Sequence, residues 1–182
     1  MSAPAAVDAA QLRALIRDVP DFPRPGILFK DIAPLIGDRA GLKATLDGLE
    51  ARARKLGADR VVGIEARGFI FGGALAARLN ASFVPARKPG KLPALSDKVS
   101  YKTEYSLAEL EMHKDSIKKG ARVVVVDDVL ATGGTAKASA QLVTNQGGEV
   151  IAYAFVIELG FLKGRGVLER GSTTRVESVI AY

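Results

Sequence analysis

The sequence contains no cysteine. That excludes a disulfide-stapled scaffold, a zinc ribbon and catalysis through a thiol nucleophile. It fits a reducing, cytoplasmic setting, which is the expected location. Histidine occurs once, as His113. With no second histidine and no cysteine to join it, neither a metal site nor a serine-type triad is expected there. Long apolar runs are missing too. The most apolar stretch, residues 68–77, is closed by Arg67 and Arg78 and reaches only about half of the ~20 residues that cross a bilayer. Residues 1–8 lack a basic region followed by an apolar core, so no secretory signal and no membrane association are expected. There is no internal repeat, low-complexity tract or linker, and a chain of 182 residues suits one domain with a substantial core.

What is present is ordinary in bulk: 48% hydrophobic and 25% charged residues, as in a globular protein. The formal charge is +6 and the sequence pI is near 9.7. Such a balance suits a nucleic acid, a heavily phosphorylated small substrate, or simply a solubilising surface. The basic residues are spread along the chain with no run of five or six, so charge alone leaves all three readings open.

Strand-like apolar runs alternate with helical patterns, which predicts a doubly wound α/β fold: a largely parallel central sheet flanked by helices. Residues 8–17, with Leu12, Leu15 and Ile16 on one face, predict an N-terminal helix that Pro20, Pro23 and Pro25 do not allow to continue. Strands are expected at 27–32, 60–64, 82–86, 122–127, 150–157 and 175–181. Helices are expected around Leu42, Leu46 and Leu49, from Gly68 to about Leu79, and from Thr135 to about Gln146. Residues 87–96 predict a loop, and 99–105 with 108–113 a two-stranded excursion. Four consecutive valines, Val123 to Val126, suit a strand buried on both faces, and ligands in such folds sit at the carboxyl ends of strands.

That central strand leads into the most informative segment, Val-Val-Val-Val-Asp-Asp-Val-Leu-Ala-Thr-Gly-Gly-Thr at 123–135. Ala131, Thr132, Gly133, Gly134 and Thr135 enter a helix. Glycines let main-chain N–H groups close on a phosphate, the hydroxyls add donors, and the helix dipole favours negative charge. Asp127 and Asp128 would repel that phosphate unless they have other work, and the vicinal hydroxyls of a ribose are suitable donors to them. The pattern predicts a cradle for a ribose 5-phosphate. A plain strand-to-helix turn explains a lone Gly-Gly-Thr but not the valines, paired acids and threonines together. Neither a Walker A loop nor a Gly-x-Gly-x-x-Gly fingerprint is present.

The segment resembles the phosphoribosyl pyrophosphate (PRPP) motif of the type I phosphoribosyltransferases. The likeness extends over residues 21–165, through Asp21-Phe22-Pro23-Arg24-Pro25-Gly26-Ile27-Leu28-Phe29-Lys30-Asp31-Ile32, Glu65-Ala66-Arg67-Gly68-Phe69, Arg87-Lys88-Pro89-Gly90-Lys91-Leu92-Pro93 and Tyr101-Lys102-Thr103-Glu104-Tyr105. Several ordered motifs of this kind are specific for the family, and those quoted favour adenine as the base. The resemblance implies transfer of the 5-phosphoribosyl group from PRPP to adenine, giving AMP and pyrophosphate, through an oxocarbenium-like displacement with Mg²⁺. It also implies a type I phosphoribosyltransferase fold of a single domain over 1–182. Within it lie a base-binding hood at about 1–36 and a flexible catalytic loop at about 88–112.

The resemblance further implies a role for each quoted group. The main chain of Glu65 and Ala66, with the Arg67 guanidinium, would hold the pyrophosphate, in a loop that often carries a non-proline cis peptide. Arg87 would reach a neighbouring subunit's site in a homodimer, with Lys88 and Lys91 near the pyrophosphate. Glu104 would exchange a proton with N7 of the purine, and Tyr105 would lie beside the reacting ribose. Phe29 would stack on the base while main-chain groups at Leu28 and Lys30 read its edge; relatives often have arginine at the latter position. Mg²⁺ would be held mainly by substrate oxygens, with Asp127 and Asp128 as the protein groups nearest to it. No nucleic-acid partner is expected. The competing readings are transfer to a 6-oxopurine (hypoxanthine, guanine or xanthine) and a ligand-binding regulator of nucleic acid. The segment before Ile27 is short for a helix-turn-helix, and a regulator gives Glu104 no purpose.

Overall fold

The computed structural model describes residues 8–102 and 107–182. The chain divides into two compact units, with the boundary after Gly48.

The first unit contains helix α1 (Ala9–Ala14), strands β1 (Arg17–Pro20) and β2 (Leu28–Asp31), helix α2 (Ala33–Gly37) and the beginning of helix α3 (Arg39–Ala53). Asp8 caps α1 by accepting a hydrogen bond from the Ala10 N–H at 2.9 Å, and Leu12 is its buried anchor. The helix predicted over 8–17 is shorter than expected. From Arg17 the chain is extended and pairs antiparallel with β2, Arg17 opposite Asp31 and Asp18 opposite Lys30. Those cross-strand partners are ion pairs, Arg17–Asp31 and Lys30–Asp18, each at 2.6 Å. Cross-strand charge pairing and the β-ladder outweigh the local helical pattern at this point. The turn between the strands carries a cis Phe22–Pro23 bond, and the Asp21 carboxylate accepts from the Gly26 N–H at 2.7 Å.

The second unit begins within α3, which ends in a 3-10 turn, Arg54–Leu56, and a left-handed Gly57. It continues through β3 (Arg60–Ile64), α4 (Gly68–Leu79), β4 (Ser82–Ala86), β5 (Ser96–Lys102), β6 (Leu107–His113), β7 (Arg122–Leu130), α5 (Gly134–Asn145), β8 (Glu149–Glu158), α6 (Gly164–Glu169) and β9 (Arg175–Ala181). Five strands form one parallel sheet in the order β4-β3-β7-β8-β9, and β5 with β6 forms a separate antiparallel hairpin. The parallel sheet with flanking helices is the expected fold class.

Val123, Val124, Val125 and Val126 have no solvent exposure. Each contributes about 1.5–3 kcal/mol by leaving water, which makes β7 the spine of the sheet. Helix α4 packs on β3, β4 and β7, and α5 on β7, β8 and the hairpin. The strand order reverses between β3 and β7. In a doubly wound sheet this switch point opens a crevice beyond the carboxyl ends of the two strands. Both ends carry predicted site residues, Glu65 to Arg67 after β3 and Asp127 to Thr135 at β7. Among the described residues, no helix is long and apolar enough to cross a membrane.

Candidate active site

Strand β7 delivers Asp127 and Asp128 to the switch point. Asp128 is 6% exposed, and its N–H donates to the Asp127 Oδ1 at 2.8 Å. Helix α4 begins with Gly68 beside this pair. A Cβ on Gly68 would lie 2.9 Å from the Asp127 Oδ1, so the absent side chain makes room for the carboxylate. From the same turn, Arg67 Nε donates to the Asp128 Oδ2 in a close ion pair. The Asp127 carboxyl is pushed well above the ordinary carboxylate range, first by its removal from water and then by the neighbouring Asp128 charge; Arg67 opposes this only in part. The peptide bond between Glu65 and Ala66 is cis, as the resemblance implied.

Beyond Asp128 the chain runs through Ala131 and Thr132 to Gly133, which precedes α5 with φ of 82°. A left-handed backbone here favours glycine. Gly133 also brings no side-chain cap to the helix, which leaves first-turn N–H groups to meet an external anion. Asp127, Ala131, Thr132, Gly133 and Thr135 line one cleft, backed by Phe155. A second cleft of about 410 Å³ lies between β5 (Val99, Ser100, Tyr101) and the start of α5 (Gly134, Lys137). The acids and the glycine-threonine loop therefore occupy one place, as the sequence predicts.

The basic loop after β4 is held by two carboxylates. Glu65 accepts from Arg87 Nε at 3.2 Å and from the Lys88 N–H at 3.0 Å. Burial works against its charge, but those donors and the Arg87 and Lys91 charges prevail, so its pKa is lowered. Arg87 also donates to the Lys91 carbonyl at 2.9 Å and lies 5.9 Å from the centre of the Phe69 ring. The guanidinium expected to reach a neighbouring subunit is thus engaged within its own chain. Lys88 and Lys91 are exposed.

The second carboxylate, Glu111 on β6, was not singled out by sequence. It is 2% exposed and accepts from the Lys91 N–H at 3.1 Å, the Leu92 N–H at 3.3 Å and the Ser96 hydroxyl at 3.2 Å, with Lys98 Nζ at 3.5 Å. Burial raises its pKa, and these bonds more than reverse that, leaving it lowered. Its main chain exchanges hydrogen bonds with Arg87 at 2.9 and 2.8 Å. Alternation with Leu110 and Met112 reads as a solvent-facing acid, and no sequence signal shows that the basic loop covers it. Glu104 and Tyr105 lie outside the described residues; in sequence they connect β5 to β6.

In the first unit, Phe29 is half-buried on β2 and its ring meets that of Phe22 edge-on at 5.1 Å. Phe22 is 51% exposed and extends the aromatic surface expected of Phe29 alone. The Lys30 ammonium is ion-paired with Asp18, which directs that side chain along the hairpin.

A phosphoribosyl transferase domain matches residues 45–178. The chain belongs to the phosphoribosyltransferase family. Its relatives narrow the class further. An adenine phosphoribosyltransferase of Sorangium cellulosum (strain So ce56) is 62% identical over 173 residues, covering 94% of this chain and 86% of its own. The crystal structure of adenine phosphoribosyltransferase from Thermoanaerobacter pseudethanolicus superposes with a TM-score of 0.92 at 44% identity, covering 96% of this chain and all of the other. The Saccharomyces cerevisiae enzyme, in complex with D-2,5-dideoxy-2,5-imino-altritol 1,6-bisphosphate and adenine, gives a TM-score of 0.87 at 36% identity, over 94% of this chain and 98% of that one.

Proposed function

We propose that the crevice between β3 and β7 transfers the 5-phosphoribosyl group of PRPP to adenine, releasing AMP and pyrophosphate, a reaction of purine salvage. The observation that carries this reading is one juxtaposition. Asp127 and Asp128 stand beside Arg67 on one side and the open amino end of α5 on the other.

The 5-phosphate rests on the loop Ala131 to Thr135, where N–H groups, the Thr132 and Thr135 hydroxyls and the α5 dipole meet its charge. The 2- and 3-hydroxyls donate to Asp127 and Asp128. As the bond from C1 of the ribose to pyrophosphate breaks, positive charge grows on the ring, and the two acids stabilise it. Arg67, with the main chain of Glu65 and Ala66, receives the pyrophosphate, and Arg87, Lys88 and Lys91 add positive charge around it. Arg67 is already paired with Asp128, so substrate exchanges one anion for another at the guanidinium. Adenine N9 forms the new bond directly, and no protein nucleophile takes part. Phe29 supplies the stacking face for the base, with main-chain groups at Leu28 and Lys30 on its edge. Glu104 takes the proton exchanged at purine N7, and Tyr105 borders the ribose.

Asp127 and Asp128 are adjacent carboxyl groups whose oxygens are hard donors that would fit a nearby dication; burial, and then the Asp128 charge, raise the Asp127 pKa. Among the described residues no three acid or histidine side chains converge as a metal cage. Asp127 and Asp128 would be the protein groups to approach Mg²⁺, and substrate oxygens would supply most of its ligands. When bound, Mg²⁺ neutralises charge on the pyrophosphate leaving group. The family resemblance supports a homodimer in which Arg87 reaches the neighbouring subunit's site, and the cysteine-free composition fits a cytoplasmic location.

Pyrophosphate release tests the reading, measured with PRPP and adenine together and with each alone, before and after chelation. Release is expected only with both substrates, to stop on chelation and to return with Mg²⁺. Release that ignores adenine would overturn the assignment.

A further inference from the structure

The phosphate loop has a second wall, and it comes from a part of the chain with no role in the reaction as described. Residues Gly160 to Glu169 follow β8 and fold back over the loop. Gly164, the first residue of α6, meets it backbone to backbone. A Cβ on Gly164 would overlap the Ala131 carbonyl oxygen and lie 2.9 Å from the Gly133 nitrogen. The contact is reciprocal: a Cβ on Gly133 would lie 2.8 Å from the Gly164 carbonyl oxygen. Neither chain can carry a side chain where they touch, so the position of Gly164 sets how far the phosphate loop can move in that direction.

Arg165 fixes Gly164 in place. Its guanidinium holds Glu158, the last residue of β8, through both carboxylate oxygens at 2.8 and 2.6 Å. It also donates to the Val176 carbonyl on β9 at 2.6 Å and to Glu169 at 3.3 Å. Glu158 accepts in addition from the Ser178 hydroxyl in a close contact. It is 7% exposed, and its pKa is lowered, chiefly by the bond from Arg165. The carboxyl end of β8 is tied in turn to β7, where Leu159 N–H donates to the Leu130 carbonyl at 2.9 Å. Leu130 immediately precedes the phosphate loop.

We infer that Glu158, Arg165 and Gly164 form a brace that positions the Ala131–Gly133 backbone to receive the 5-phosphate, and that Gly164 and Arg165 are positioning residues for PRPP although neither touches it. The inference rests on the reading of residues 131–135 as the phosphate loop. A side chain at 164 displaces the Ala131 carbonyl and turns the Gly133 and Gly134 N–H groups away from the phosphate. A planar bidentate guanidinium at 165 resists rotation of the turn about Glu158, which a single lysine nitrogen does not.

The test compares Gly164→Ala, Arg165→Lys and Thr135→Val with the parent enzyme. It measures KM for PRPP, KM for adenine, kcat, the dissociation constant of ribose 5-phosphate, and Tm. Gly164→Ala is expected to raise KM for PRPP and weaken ribose 5-phosphate by about ten- to a hundredfold, with adenine KM changed by less than about twofold. Arg165→Lys is expected to move the same two constants in the same direction by a smaller factor. Parent-like PRPP and ribose 5-phosphate constants in a folded Gly164→Ala protein would overturn the brace. So would PRPP and adenine constants that worsen together, which signals general damage. If Gly164→Ala does not fold, Arg165→Lys decides by the same criteria. Thr135→Val tests the phosphate loop itself. If it leaves ribose 5-phosphate binding intact, the phosphate-loop reading fails. If it weakens binding while Gly164→Ala does not, that reading stands and the brace alone is refuted.

Discussion

Glu111 is the buried charge on which the basic loop depends, and its replacement has a calculable effect. Three donors end on its carboxylate, the Lys91 and Leu92 N–H groups and the Ser96 hydroxyl, with Lys98 beside them. Glu111→Gln keeps the shape and one oxygen. The Oε1 pair is preserved, while the NH2 faces Ser96 and Lys98, so the loss is about 1–2 kcal/mol. Glu111→Ala leaves all the donors without their acceptor and is expected to cost about 3–5 kcal/mol. For a domain of this size, with about 2–4 °C in Tm per kcal/mol, glutamine lowers Tm by roughly 2–8 °C and alanine by roughly 6–20 °C. The pH dependence has a definite sign. The folded pKa of Glu111 is lowered, so its stabilisation is present above the unfolded carboxylate value, about 4.3, and is lost as pH falls through the folded one. The Tm gap between parent and Glu111→Gln is therefore constant near neutrality and closes in acid. Since the same carboxylate organises the loop carrying Arg87, Lys88 and Lys91, KM for PRPP should rise in parallel. Thermal unfolding across pH, with PRPP kinetics, is the assay. A glutamine variant within about a degree of the parent Tm and with unchanged KM would refute the reasoning.

Two further predictions concern Asp127 and Glu104. The raised pKa of Asp127 has the opposite sign to that of Glu111: ionising it opposes folding, increasingly as pH rises through its folded value. Asp127→Asn keeps an oxygen for the Asp128 N–H and removes the repulsion, so it should raise Tm at neutral pH while lowering kcat/KM about ten- to a hundredfold. A variant that is both less stable and fully active would contradict this. Glu104→Gln should reduce kcat by roughly 10²–10⁴-fold with little change in either KM, and an unchanged kcat in stopped assays of AMP formation removes Glu104 from the mechanism.

How far the sequence was legible follows from which interactions are local. The valines at 123–126, the acids after them and the glycine-threonine loop lie within one continuous segment, so the strand and the loop entering α5 could both be read from it. The edges at 60–64, 82–86 and 175–181 matched the observed strands. Arg17 to Pro20 could not be read as a strand, since its reason to extend is Asp31 and Lys30 on β2, well separated in sequence. Helix α6, with two glycines in its six residues, carries little helical signal and is held by Arg165 bonds to β8 and β9. Glu111 looks like a surface acid in an alternating strand, and Glu158 like the polar end of the apolar run of β8. Their burial comes from a loop and an arginine that only the assembled sheet brings to them. The turn carrying Arg67 could be placed after β3, but its ion pair with Asp128 could not, because the two meet only at the switch point.

The proposed reaction requires this crevice to join a ribose 5-phosphate to adenine in preference to other bases. Pyrophosphate release measured side by side with adenine, hypoxanthine, guanine and xanthine, at saturating PRPP and Mg²⁺, tests it most directly. Adenine is expected to give the highest kcat/KM by far, with AMP formed in equal amount to pyrophosphate. Fastest turnover on a 6-oxopurine, or pyrophosphate released without AMP, would contradict it.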